Sequence, residues 1–346
     1  MIRRYRNQRA FTLVEMLVVV AIIGLLIAAL LPAFGAVRIK AKYAAAGSMF
    51  NALDQGIALF RAEQALGGGL PPSVSDNSAR DRTAQRHKIR NPNKLKTGGD
   101  DEIMVQGAHL LAQALIGADG LGVAGFRDLD RDGTWWNDTH DDACETNNRG
   151  GLYGLSATGE PCHPRYGGAA GYVDEKMREN MKSVQQLADA GVVLNPPPAE
   201  EIAPNELMFI DPFDTPVLYY RANRSASRVV GKAATPGIYW QEDNGMITGS
   251  AEGLYEADGL DFGAGKVDGV YHDLRDTWSP DPTLKPDDIL NDPKYPQSFF
   301  HAIWDPSIKA RPSPVRPDSY LLISAGNDRR YGTDDDVSNW TREKTE

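Results

Sequence analysis

The chain has 346 residues, is 41% hydrophobic, and carries 37 basic against 47 acidic side chains for a formal charge of −10. That sign repels a phosphate backbone and excludes nucleic-acid binding by long-range attraction. The length allows one large core or two modest ones, so the placement of the apolar residues carries more information than their number.

Residues 11–31 are nearly unbroken hydrocarbon, interrupted by Thr12, Glu15 and Gly24. A run of about 20 apolar residues crosses a bilayer once as a helix. Arg3, Arg4, Arg6 and Arg9 precede it without an acidic residue, a bias that keeps the short arm in the cytoplasm. A secretory signal has its small-residue cleavage site after the apolar run. Here the conspicuous break comes before it, at Arg9-Ala10-Phe11-Thr12-Leu13-Val14-Glu15. Glu15 then lies inside the apolar helix, where a lone carboxylate costs roughly 2.5–3.5 kcal/mol on insertion scales and requires a compensating charge.

This stretch resembles the class III signal of type IV pilins and type II secretion pseudopilins: a small residue, Phe-Thr-Leu-x-Glu, then an apolar run. The resemblance implies that prepilin peptidase cuts between Ala10 and Phe11 and methylates the new amino terminus. In the family, glycine is the usual residue where Ala10 stands. The implied location is the inner membrane, single-pass, with the head in the periplasm or outside the cell. The implied partners are other copies, related pseudopilins and inner-membrane assembly proteins of a secretion or pilus system. Glu15 would pair with the Phe11 ammonium of a neighbouring copy, neutralising two charges in lipid or in a filament core. Gly24 and Pro32 lie where the family's long helix is weakened during assembly; Pro32 also reads simply as the end of a membrane span.

Beyond the apolar run, Phe34, Val37, Ala41, Ala44, Ala45, Met49, Leu53, Ile57 and Phe60 recur at three- and four-residue spacing, which predicts that the helix continues. Gly67-Gly68-Gly69 and Pro71-Pro72 supply stop signals, so the helix is expected to span 11–66, roughly 80 Å at 1.5 Å per residue. The expected organisation is a leader (1–10), a membrane half of the helix (11–33), an amphipathic half (34–66), an inserted loop and helical region (67–200), and a sheet-bearing head (201–346).

The polar, proline-bearing stretch 70–98 reads as an exposed loop. Helices are predicted over 102–117 and 174–190 from their apolar spacing. Between them, Asp128, Asp130, Asp132 and Gly133 form an Asp-x-Asp-x-Asp-Gly run, which suits calcium and reads equally as an acidic solvated loop. The twelfth position of an EF-hand loop would be Thr139 rather than glutamate, so the full EF-hand reading fails. Cys144 and Cys162 lie on the non-cytoplasmic side of the expected span, where a disulfide can persist. His140 and His163 beside them have zinc-ligand chemistry but lack the paired short spacing of zinc sites.

Residues 207–210 and 216–220 read as short strands around the turn 211–215, and 320–324 as a later strand; an antiparallel sheet follows. The run Asp211-Pro212-Phe213-Asp214-Thr215-Pro216-Val217-Leu218-Tyr219-Tyr220 resembles the Asp-Pro-Trp-Gly-x-Pro-Tyr-x-Tyr strand pair of major pseudopilins, with phenylalanine and aspartate in place of tryptophan and glycine. Residues 323–337 are similar to the calcium loop that closes that family's sheet, which implies Asp328, Asp335 and Asp336, then Asp334, as ligands for calcium. The alternative is an acidic turn without metal. The resulting fold class is α+β and pilin-like, a long N-terminal helix packed on a head with an antiparallel β-sheet. Major pseudopilins are much shorter than this chain, and the insertion 222–316 carries Tyr239, Trp240, Tyr255, Tyr271, Trp278 and Trp304, expected to form a small satellite core. The six histidines, His87, His109, His140, His163, His272 and His301, sit in no catalytic motif. A structural filament subunit without catalysis is thus the leading expectation. A membrane-anchored carbohydrate-active or adhesive protein, as a minor tip subunit or tethered enzyme, is the alternative.

Overall fold

The computed structural model describes residues 13–63, 68–73, 88–90, 102–117, 120, 122–123, 165–167, 171–197, 202, 205–231, 237–251, 257–275, 288–289, 291, 298–308 and 311–340. Ala10, Phe11, Asp128, Asp130, Asp132, Cys144, Cys162, Tyr255, Trp278, His87, His140 and His163 lie outside them. The chain divides into two compact units, Met1–Ala45 and Ala46–Glu346.

Helix α1 runs Leu13–Ala62, so Pro32 is an interior residue and does not end the helix. In the first unit the apolar side chains are exposed on all faces, from Leu13 at 80% to Phe34 at 67% and Val37 at 63%. An all-round apolar surface of this kind marks a helix meant to be covered. Among the described residues no helix is long and apolar enough to cross a membrane.

In the second unit α1 becomes amphipathic. Ala46, Met49, Phe50, Leu53, Ile57 and Phe60 are buried, a stripe at three- and four-residue spacing. The stripe therefore starts at Ala46, not at Phe34: Phe34, Val37, Ala41, Ala44 and Ala45 are exposed. Their periodicity continued the helical pattern without a partner surface, and periodicity alone does not report what a face meets. Gly56 allows the close approach, since a Cβ there would lie 3.0 Å from the Tyr172 carbonyl oxygen and 3.1 Å from Val173 Cγ1.

Helix α2, Gly107–Ile116, is buried along its whole length. The expected helix over 102–117 is thus shorter at its start, because Glu102–Met104 forms β2, antiparallel to β1 at Lys88–Arg90. That pairing also corrects the expectation of an unstructured stretch across 70–98. Gln106 is extended at φ −120°, and its N–H donates to His109 Nδ1 at 3.0 Å, which fixes the helix start. The helix expected over 174–190 is divided into α3, Glu175–Glu179, and α4, Val184–Asp189, by β3 at Met181–Lys182. Two N-terminal caps explain the division. Asp174 accepts from the Met177 N–H at 2.8 Å, and Ser183 and Gln186 form a reciprocal capping box that begins a new helix.

Strand β3 pairs antiparallel with β4, Met208–Phe209. The central sheet has the order β5-β8-β9, with β5 at Leu218–Arg221, β8 at Tyr320–Ser324 and β9 at Val337–Ser338, all antiparallel. Its faces alternate as a period-two strand requires. Leu218, Tyr220, Leu321 and Ile323 enter one core cluster; Tyr219, Tyr320 and Leu322 enter the other, with Met49, Leu53, Ile57 and Phe60 of α1. The first cluster also contains Tyr239, Phe299, Phe300 and Trp304. The insertion therefore builds half of the main core and not a satellite, because β5 and β8 are apolar on both faces and need a second cover. Within it, β6 (Arg228–Gly231) and β7 (Gly237–Trp240) pair in parallel, and two short helices, α5 (Gly245–Thr248) and α6 (Phe299–Ile303), follow.

Candidate assembly helix and loop site

Glu15 lies in the first turn of α1, where the exposed peptide N–H groups favour a carboxylate. Its neighbours Leu13, Val14, Met16 and Leu17 are apolar and exposed. At Gly24 an added Cβ would meet nothing within 4 Å, so glycine is not demanded there by packing within the chain.

The second site joins two segments that lie far apart in sequence. Asp211 is buried at 4% exposure. Its carboxylate accepts from the N–H groups of Phe213 at 2.8 Å and Thr215 at 2.9 Å, and from the Thr215 hydroxyl at 2.7 Å. It also accepts from the hydroxyl of Ser324 at the end of β8, 113 residues away. Burial pushes the Asp211 carboxyl up, and these donors work in the opposite direction. Two further contacts tie the same segments: the Tyr331 hydroxyl donates to the Pro216 carbonyl at 2.6 Å, and Arg329 Nη2 lies 3.2 Å from Asp214 Oδ2. Asp214 has φ 69°, a left-handed conformation that favours glycine and that aspartate tolerates better than most residues.

The acidic loop between β8 and β9 is closed by its own hydrogen bonds. Asp335 Oδ2 accepts from the N–H groups of Asn327 at 2.7 Å and Asp328 at 3.0 Å, while its Oδ1 accepts from the Thr333 hydroxyl at 2.6 Å. Asp328 accepts from the Arg330 N–H at 2.7 Å, and Asp336 from the Gly332 N–H at 2.8 Å. Asp334 is exposed. Gly326 is required, because at φ 63° a Cβ would fall 2.3 Å from the Asp335 carbonyl oxygen. Burial, reinforced by the neighbouring Asp335 charge, pushes the Asp328 carboxyl up. The loop thus brings Asp328 and Asp335 together, while Asp336 is held by the Gly332 N–H and Asp334 is exposed. Among the described residues no group of three or more His, Cys, Asp or Glu side chains is placed to hold a metal ion.

The burial of Glu206, Glu242 and Asp243 escaped sequence reasoning, as did that of His109 and His272, which were placed only outside any catalytic motif. Glu206 accepts from Gln113 Nε2 at 3.1 Å, and burial raises its carboxyl to about 7. Burial lowers His109 to about 3 and His272 to about 4, so both are neutral packing residues. A solitary acid or histidine has no periodic signal; its burial is decided by tertiary packing.

A family model described as the prokaryotic N-terminal methylation motif matches residues 5–31, and the chain carries this type IV pilin-like signal. No curated protein and no solved structure matches the chain.

Truncating Asp211 would leave the Phe213 and Thr215 N–H groups buried without an acceptor. Asp211→Ala is expected to lower unfolding stability by about 3 kcal/mol and Asp211→Asn by less, as measured by denaturant unfolding in detergent.

Proposed function

We propose that this chain is a structural subunit of a type II secretion pseudopilus or a related type IV pilus-like filament. It enters the inner membrane as a single-pass protein, with residues 11–31 in the bilayer and the head in the periplasm or outside the cell. Prepilin peptidase removes residues 1–10 and methylates Phe11. The subunit then polymerises through α1 with other copies and related pseudopilins, using inner-membrane assembly proteins. No catalysis is part of the proposal.

The methylation motif over 5–31 is the observation that carries this reading. Two features of α1 support it: a carboxylate in the first turn and apolar side chains exposed along the first unit. A carboxylate in hydrocarbon is stabilised by a nearby cation, and the amino group freed at Phe11 is four residues from Glu15 in each copy. Pairing Glu15 of one subunit with Phe11 of the next sets their register.

Calcium at the β8–β9 loop belongs to the same proposal. The crowding of Asp328 against Asp335 supports it, since a divalent cation relieves repulsion between two carboxylates. With only these two carboxylates brought together, backbone carbonyl oxygens would complete the ligand set. Bound calcium would supply positive charge that holds the loop closed.

Intact-mass analysis of the purified subunit, from a host with active prepilin peptidase, is expected to give a chain beginning at N-methyl-Phe11; a retained arginine-bearing leader contradicts the proposal. For calcium, saturation at a hundredfold excess over Kd contributes about 2.7 kcal/mol. The melting temperature is therefore expected to fall by several degrees in chelator, at about 2–4 °C per kcal/mol, and the difference to vanish in Asp335→Asn. Identical melting of the unmodified chain with and without chelator removes calcium from the account.

A further inference from the structure

Beside the β8–β9 loop, the insertion borders a half-open cavity of about 390 Å³, at the small end of the range for small-molecule sites. Its rim includes a hairpin in which the Val267 and Val270 N–H groups each donate to the other's carbonyl, at 2.9 and 3.1 Å. Asp268 at φ 52° and Gly269 at φ 85° make the turn, a two-residue connection of the kind that holds its strands in fixed register. Val267, which lines the cavity, is 51% exposed, an apolar side chain left open to solvent on an otherwise ordered lip.

The polar lining is balanced in charge. Arg275, Arg330, Asp268 and Asp273 all line the cavity. Arg330 Nη2 lies 3.3 Å from Asp273 Oδ1, and its Nη1 donates to the carbonyls of Gly265 at 3.1 Å and Val270 at 3.4 Å. Arg275 Nη1 is 3.4 Å from Asp258 Oδ1. A charged ligand would have to break one of these pairs and leave its partner uncompensated at a partly buried site. A neutral ligand with several hydroxyls matches carboxylate acceptors and guanidinium donors together, and its C–H face suits the valines.

We propose that this cavity binds one residue of a neutral sugar, with Val267 and Val270 against the ring and Asp273, Arg330 and Thr333 hydrogen-bonded to its hydroxyls. Because the cavity is built by the insertion and the β8–β9 loop, the proposal is independent of leader processing and filament assembly. Thr333 ties the two regions, since its hydroxyl also donates to Asp335.

The test is saturation-transfer NMR on the full-length chain in a non-glycosidic detergent, with glucose, galactose and N-acetylglucosamine as probes and glucuronate and inorganic phosphate as competitors. The expected result is transfer to at least one neutral sugar, half-saturated at about 1 mM. Val267→Trp, which fills the cavity from an exposed position, should weaken binding by about tenfold without changing the melting temperature. Val267→Asp, which removes the apolar face, should do the same. No transfer to any of the three sugars at tens of millimolar overturns the proposal, as does unchanged binding in both variants or displacement by glucuronate or phosphate below the sugar concentration.

Discussion

A carboxylate placed in the first turn of an apolar helix constrains what can surround that helix. Water solvates Glu15 at little cost, but the exposed leucines, valines and isoleucines beside it on α1 favour a medium without water. Both demands are met when the apolar side chains are covered and a cation sits within reach of the carboxylate. In the proposed filament the cation would come from processing: cleavage after Ala10 would create an ammonium at Phe11, four residues from Glu15. The leader arginines, which orient the uncleaved chain, would be removed by the same event that produces the pairing charge.

The head is organised around the need to cover a sheet that is apolar on both sides. Strands β5 and β8 send alternate residues into two cores; α1 and α2 supply one cover and the insertion the other. The insertion replaces solvent over Leu218, Tyr220, Leu321 and Ile323. The 211–220 and 323–337 patches are remote in sequence because the insertion separates them, and they meet because Asp211 gathers donors from its own turn and from Ser324.

Sequence periodicity located the elements whose pattern is local. The continuation of α1 past Pro32, the strand at Tyr320–Ser324 and the turn at 211–215 followed from spacing and turn chemistry, and the loop after that strand from its resemblance to a calcium loop. It missed what depends on partners. The stripe of α1 is expected from Phe34 because small and apolar residues continue the repeat, whereas the buried stripe within the second unit begins at Ala46. The segment 174–190 was read as one helix because its apolar spacing persists through Ser183, whereas Ser183 with Gln186 caps a new helix. The aromatics of the insertion lacked a repeating pattern, so their place beside Tyr220 in the main core was not legible. The burial of Glu206 was invisible for the same reason, since its partner Gln113 is 93 residues away.

The account depends most on the charge pairing assigned to Glu15. Its most direct test is electron microscopy of filaments from Glu15→Ala and Glu15→Gln chains whose processed amino termini have been verified by mass. The account predicts that both variants are processed and reach the membrane but yield no ordered filaments, because the Phe11 ammonium has no anion to meet. Filaments of normal number and order from processed Glu15→Ala would contradict it.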